Sequence, residues 1–211
     1  MIDHLVWQVP NLREAMATFA DLSGVEPKFD GEHPVKGFQV AVASLGSAFG
    51  YGCYICIDGP LDDPAPGTYG ETLKGIERPR MRRFAVQTPD ASHVQQVLAD
   101  RGIATKIGSN TRRQADGALG EWDYIDFSPA GPRPWGPDMP YFKQWRTSVH
   151  PSAETPAGCV LEAFAVQHPD RAEVSDFFRA VKIDVPVVEG ASAKILARFR
   201  GKKGIFMLPS D

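Results

Sequence analysis

The chain has 211 residues, 43% of them hydrophobic and 23% charged, the composition of a folded globular protein and not of a disordered or collagen-like one. Its 23 Lys and Arg stand against 26 Asp and Glu, a formal net charge of −3 that offers no global field to attract nucleic acid or an anionic membrane. A chain of this length hides about 70% of its unfolded surface on folding, so its core needs no disulfide or metal staple, and no apolar run approaches the roughly 20 residues of a membrane span.

From the amino end, Leu5 to Val9 is an apolar strand closed by Pro10. Asn11, with Glu14 three residues on, predicts a capped helix with apolar positions at Leu12, Ala15, Met16 and Phe19 and a stop at Gly24. Strand candidates follow at Val25 to Phe29, Phe38 to Leu45 and Gly50 to Ile57, punctuated by glycine and proline. Asp58 to Arg80, rich in Pro, Gly and Asp, reads as a long loop of the kind that often carries function. The order then starts again, with strand Phe84 to Thr88, Pro89, a helix behind Asp90 carrying Val94, Val97 and Leu98, and a stop at Gly102. Strands are predicted at Ala104 to Ile107, Trp122 to Phe127 and Tyr141 to Trp145, with a loop at Pro129 to Met139. A third start has Phe164 to His168, Pro169, and a helix behind Asp170 with Glu173 again three residues on; Val174, Phe177, Phe178 and Val181 line it, and no glycine ends it. Short strands at Pro186 to Val188, Lys194 to Phe199 and Gly204 to Leu208 complete the chain.

Pro10, Pro89 and Pro169 lie 79 and 80 residues apart, a period longer than that of stacked solenoid repeats, so the pattern predicts duplication of a supersecondary unit. Each copy reads βαβββ. Residues 1–211 then form one α+β domain with internal repeats at 1–80, 81–158 and 159–211, the last one shortened. On the first strand, His4 shares a face with Ile2, Val6 and Gln8, while Leu5, Trp7 and Val9 take the face covered by helices. Three cysteines, Cys53, Cys56 and Cys159, form no disulfide framework and point to a reducing, cytoplasmic setting. Cys53 and Cys56 match C-x-x-C, but on a strand, where core filling is the plainer reading than redox chemistry.

Repeated βαβββ units, together with Ile2-Asp3-His4-Leu5-Val6 before a Pro-capped helix, Gly31-Glu32-His33-Pro34, Ser44-Leu45-Gly46, Arg112-Arg113 before Asp116-Gly117, Pro140 to Trp145, and His150-Pro151, resemble the glyoxalase-like branch of the vicinal oxygen chelate superfamily. That resemblance implies an open cup-shaped sheet made of two units, with a divalent metal held from the first and last strands of each. On these positions stand His4; Arg83, or Phe84 with the register off by one; Cys56 in Tyr54-Ile55-Cys56-Ile57; and Gln144 in Phe142-Lys143-Gln144-Trp145. One imidazole, one thiol and one amide make a poor site for a hard cation. Arg83 repels one by about 4 kcal/mol at 4 Å for an effective dielectric near 20. No cofactor and no metal ligands are therefore expected, with a divalent metal bound through His4 as the alternative.

Arg83 suits a carboxylate, enolate or phosphate instead. The resemblance and this charge imply a small-molecule enzyme of lyase or isomerase type, acting on an oxygen-rich anionic metabolite by proton abstraction or bond cleavage. His4 is its candidate base and Cys56 a candidate nucleophile; Arg83, Gln144, Gln39, Arg113, Trp122 and His150 are candidates for substrate binding. The alternative is a metal-free binding or sequestering protein without turnover. Plainer readings stand beside several of these: a buried neutral thiol for Cys56, an edge hairpin kept soluble by Arg112 and Arg113, an aromatic core stripe for Trp122, and turn chemistry for His33 and His150. His93 reads as solvent-facing and His168 as structural. The expected partner is a small-molecule substrate, with no nucleic acid and no membrane, and a homodimer is allowed.

Overall fold

The computed structural model describes residues 1–46, 52–113, 119–127, 140–147 and 150–208. The first strand, β1 (Ile2–Gln8), leads through helix α1 (Leu12–Ser23) to β2 (Lys28–His33), β3 (Phe38–Ser44) and β4 (Tyr54–Pro60). After helix α2 (Tyr69–Lys74), β5 (Arg80–Gln87) leads through α3 (Ala91–Ala99) to β6 (Thr105–Arg113), β7 (Leu119–Phe127) and β8 (Tyr141–Trp145). These eight strands form one sheet in the order β2-β3-β4-β1-β5-β8-β7-β6. β1 and β5 run antiparallel at its centre, and each has the last strand of its own segment beside it in parallel, β4 next to β1 and β8 next to β5. Read outward from the central pair, the two halves have the same order, which gives the open, cup-shaped α+β sheet expected from the sequence.

Local chemistry places the helices. Asn11 accepts the backbone N–H of Glu14 at 3.2 Å, and its side-chain amide donates to the Glu14 carboxylate at 3.0 Å, so the predicted cap of α1 forms. Gly24 closes this helix with φ 73°, a conformation that glycine adopts without a Cβ clash. Asp90 caps α3 through the N–H of His93 at 2.9 Å. The capping box expected at Asp170 and Glu173 does not form. The N–H of Asp170 donates to Nδ1 of buried His168 at 3.0 Å, and the Asp170 side chain makes no capping bond to the helix start. Helix α4 (Arg171–Ala180) is followed by Lys182 in the left-handed conformation, φ 58°, which Gly24 and Gly102 take after α1 and α3. The Asp58 to Arg80 stretch, predicted as a loop, contains α2, started by the Thr68 hydroxyl accepting the N–H of Glu71. The predicted loop at Pro129 to Met139 lies outside the described residues.

The third segment, β9 (Val160–His168), α4, β10 (Val187–Glu189), β11 (Lys194–Gly201) and β12 (Gly204–Phe206), forms a separate sheet ordered β10-β9-β11-β12. Here the first strand is flanked by the second and third, a different arrangement from either half of the large sheet. Its apolar face packs on the outer side of that sheet: Phe164 meets Phe84 with ring centroids 5.1 Å apart, Phe177 meets Phe142, and Phe206 meets Phe19. Leu5, Trp7, Ile55, Ile57 and Phe84, all fully buried, complete this core. Hydrophobic burial of about 2–3 kcal/mol per large side chain thus sits on one side of the eight-stranded sheet, and the other side is left for a cavity. No helix among the described residues is long and apolar enough to cross a membrane.

Candidate functional site

The concave face of the large sheet holds a cavity of about 780 Å³. Its floor runs along β1, with His4 and Val6 facing in while Leu5, Trp7 and Val9 face the core, as strand alternation requires. The alternation breaks at the strand's start. Ile2 pairs with Val86 and His4 with Ala85, so Asp3 is an extra residue in a β-bulge. A bulge re-aims side chains, and here it sends Ile2 into the core and Asp3 to the side of His4.

Asp3 is fully buried. Its carboxylate accepts from His4 Nδ1 at 2.5 Å, Trp145 Nε1 at 2.5 Å and His150 Nε2 at 3.0 Å. Burial pushes the carboxyl up, but the hydrogen bonds from His150 and His4 and the charge of Lys143 hold it well below the ordinary carboxylate value. An ionised carboxylate only accepts, so the proton of His4 is assigned to Nδ1, leaving Nε2 as acceptor for the hydroxyl of Tyr141. Burial first, and the charge of Lys143 second, lower the His4 imidazole to about 4, against the opposing pull of Asp3, and the resting ring is neutral. The Tyr141 phenol is pushed well above its ordinary value by burial and by the charges of Cys56, Asp58 and Asp3. His4 also stacks on Tyr54 with ring centroids 4.6 Å apart.

A second polar cluster lies farther along the floor. Asp58, buried on β4, accepts from the hydroxyl of Tyr69 at 3.0 Å; Tyr69 accepts from Gln8 Nε2 at 2.9 Å, and Gln8 accepts from Arg80 Nε at 3.2 Å. Burial raises the Asp58 carboxyl to about 7, with the Tyr69 bond and the charges of Arg83 and Lys143 opposing. The Arg83 guanidinium lies 5.7 Å from the Tyr69 ring centroid. On the opposite side, Lys143 Nζ lies 5.0 Å from the Trp122 ring and 5.2 Å from the Trp145 ring. Val40, Val42 and Tyr54, with Phe38 and Cys56, form an apolar wall between the clusters.

Of the residues singled out in the sequence, His4, Cys56, Arg83 and Trp122 line this cavity, as do Tyr124 and Asp126 of the Trp122 strand. His150 stands behind it, on Asp3 and Ser152. Cys56 does not pair with His4 as nucleophile and base: it lies level with Val6, both imidazole nitrogens are taken, and burial pushes its thiol well above the ordinary value. Gln144 faces out of the cup, its amide oxygen accepting the N–H of Ala91 at the start of α3, because its neighbours Lys143 and Trp145 take the inward face. Gln39 likewise stands outside, donating to the Pro60 carbonyl, while Phe38, Val40 and Val42 face in. The side chains of Arg112 and Arg113 lie outside the described residues. His33 stacks on Phe38 at the cavity wall, and His93 is not solvent-facing but half-buried against the Ala180 carbonyl at 3.2 Å.

Cys53, just before β4, and Cys56 within it are three residues apart and point to opposite faces, Cys53 into the core and Cys56 into the cavity, which rules out a closing redox pair. The sequence reading missed Asp3, Tyr141, Lys143, Asp58 and Tyr69. Asp58 was legible as the next inward position after Cys56, and Tyr141 and Lys143 as the alternate set to Gln144. Nothing local marks the bulge that turns Asp3 inward.

The donor set does not fit a divalent metal. Both nitrogens of His4 are engaged, Arg83 and Lys143 face the same space, and among the described residues no group of three His, Cys, Asp or Glu side chains is arranged to hold a metal ion.

A family model described as a glyoxalase-like domain matches residues 2–181. No curated protein matches the chain. Among solved structures, a hypothetical protein from Staphylococcus aureus is similar with a TM-score of 0.62 and 12% identity, over 93% of this chain and 90% of that one. A variant of methylmalonyl-CoA epimerase from Streptomyces coelicolor, bound to 2-nitronate-propionyl-CoA, is similar with a TM-score of 0.51 and 15% identity, over 70% of this chain and 95% of that one. At these identities the likeness concerns the fold.

Proposed function

The chain belongs to the glyoxalase-like domain family, and from that premise we propose that it is a small-molecule enzyme that takes a proton from an oxygen-rich, anionic metabolite in the cup. The observation that carries this reading is the buried chain Asp3–His4–Tyr141, which ends on a hydroxyl in the cavity wall. The Tyr141 oxygen takes the ligand's acidic proton as its own proton passes to His4 Nε2, and Asp3 stabilises the imidazolium that results. Tyrosine is neutral before and after. Arg83 and Lys143 face the charge left on the ligand. A ligand anion beside Lys143 also offsets one of the causes that hold the imidazole near 4, so binding raises the basicity of His4 when it is used.

Incubating the protein in D₂O with a panel of carboxylic acids that carry an acidic C–H, and following exchange by NMR, tests this. Exchange is expected for at least one acid, with Tyr141→Phe slowing it by about 10²-fold or more while binding persists. Unchanged exchange in that variant overturns the relay. The second reading, a binding protein without turnover, is favoured by one feature: His4 is buried and already capped by Tyr141. Tight binding with no exchange across the panel selects it.

A further inference from the structure

We infer that the ligand carries two anionic groups, one seated on Arg83 and the other on Lys143. This rests on the anionic-ligand reading above and names its substrate class. Arg83 and Lys143 face one cavity, and each is held on aromatic faces rather than by an acid: Arg83 by Tyr69, Lys143 by Trp122 and Trp145. Among the described residues neither head group has a carboxylate within ion-pair reach. A cation drawn out of bulk water without a counter-ion is costly, and a ligand anion supplies the missing partner. One anion satisfies one of these positions.

The two positions are well separated. Arg83 is level with Val6 of β1, while Lys143 is level with Gln87, four residues farther along β5 on the same face. At about 3.3 Å per residue these levels are roughly 13 Å apart. Midway between these levels stand Ala85, His4 and Tyr141, while Val6 and Cys56 lie beside Arg83 on the floor. A single compact anion such as phosphate is short against this spacing, whereas a chain ending in two carboxylates reaches both cations. Tyr141 is level with Ala85, midway between the Arg83 and Lys143 levels, so the reacting carbon is placed between the two anionic groups.

The test uses the full chain and calorimetric titration, at one ionic strength, with succinate, glutarate, adipate, pimelate and suberate and with straight-chain monocarboxylates of the same carbon number. One diacid is expected to bind at least about tenfold tighter than its matched monoacid, since a charge-assisted contact contributes about 1.5 kcal/mol or more. Affinity should fall on both sides of that length. Arg83→Met and Lys143→Met should each erase the diacid advantage, and Lys143→Arg should keep part of it. Monoacids that bind as tightly as diacids at every length, or an advantage that survives both methionine variants, overturn this inference and leave the anionic reading standing. Absence of any carboxylate binding overturns both. Should either variant fail to fold, the wild-type length series decides alone.

Discussion

The substitution Asp58→Asn should make the stability of the protein depend on pH in a new way. The folded carboxyl titrates near 7 instead of its ordinary 3.8, so folding favours its protonated form. The sign follows: its contribution is fully present below pH 3.8 and is lost as pH rises through about 7. At about 1.4 kcal/mol for each tenfold change in proton affinity, the whole span is worth about 4 kcal/mol, of which roughly 2–3 kcal/mol falls between about pH 5 and 8. His4 works in the opposite direction. Its folded value is lowered from 6.5 to about 4, so acid favours the unfolded chain, and stability rises by roughly 2 kcal/mol over the same interval. From these two groups the wild type is therefore nearly level across that interval. The amide introduced by Asp58→Asn keeps an acceptor for the Tyr69 hydroxyl and removes the titration, so the variant should gain about 2–3 kcal/mol relative to wild type on going from about pH 5 to pH 8. Urea unfolding of both proteins at about pH 5, 6.5 and 8, with unchanged m-values, reads this directly. A difference between variant and wild type that is the same at all three pH values refutes the buried, protonated carboxyl.

Asp3→Asn should cost about 3–5 kcal/mol near pH 7, because the amide cannot accept from His4, His150 and Trp145 together. Asp3 titrates below the ordinary carboxylate value, so the stability it adds is present above that value and lost as pH falls through the folded one, and the gap between variant and wild type should close in acid. Gln144→Ala should cost about 1 kcal/mol of unfolding free energy through the lost bond to the Ala91 N–H, and leave carboxylate affinity unchanged; a tenfold weaker affinity shows that its side chain serves the cavity after all.

The amino-acid sequence by itself determined the order of elements, because that order follows from local rules. Alternating apolar residues closed by Pro10, Pro89 and Pro169, with Asn11 and Asp90 as helix caps, specify strand-then-helix wherever they occur. The same alternation placed His4 on the inner face and Leu5, Trp7 and Val9 on the outer one, and the 79-residue offset led from His4 to Arg83, which shares its cavity. Only the tertiary structure decided what those residues do. Asp3 is an outward-facing position in any regular strand, and it becomes the centre of three hydrogen bonds because β5 pairs with β1 one residue out of step. Lys143 and Gln144 differ by one residue, and the pairing of β8 with β5 and β7 chose the lysine for the cavity and gave the glutamine to helix α3. The third segment repeats the strand-helix pattern, yet its strands pair in another order and cover the outer core, with Phe164, Phe177 and Phe206 packed on Phe84, Phe142 and Phe19. Strand register and layer packing depend on residues far apart in the chain, and local pattern carries no record of them.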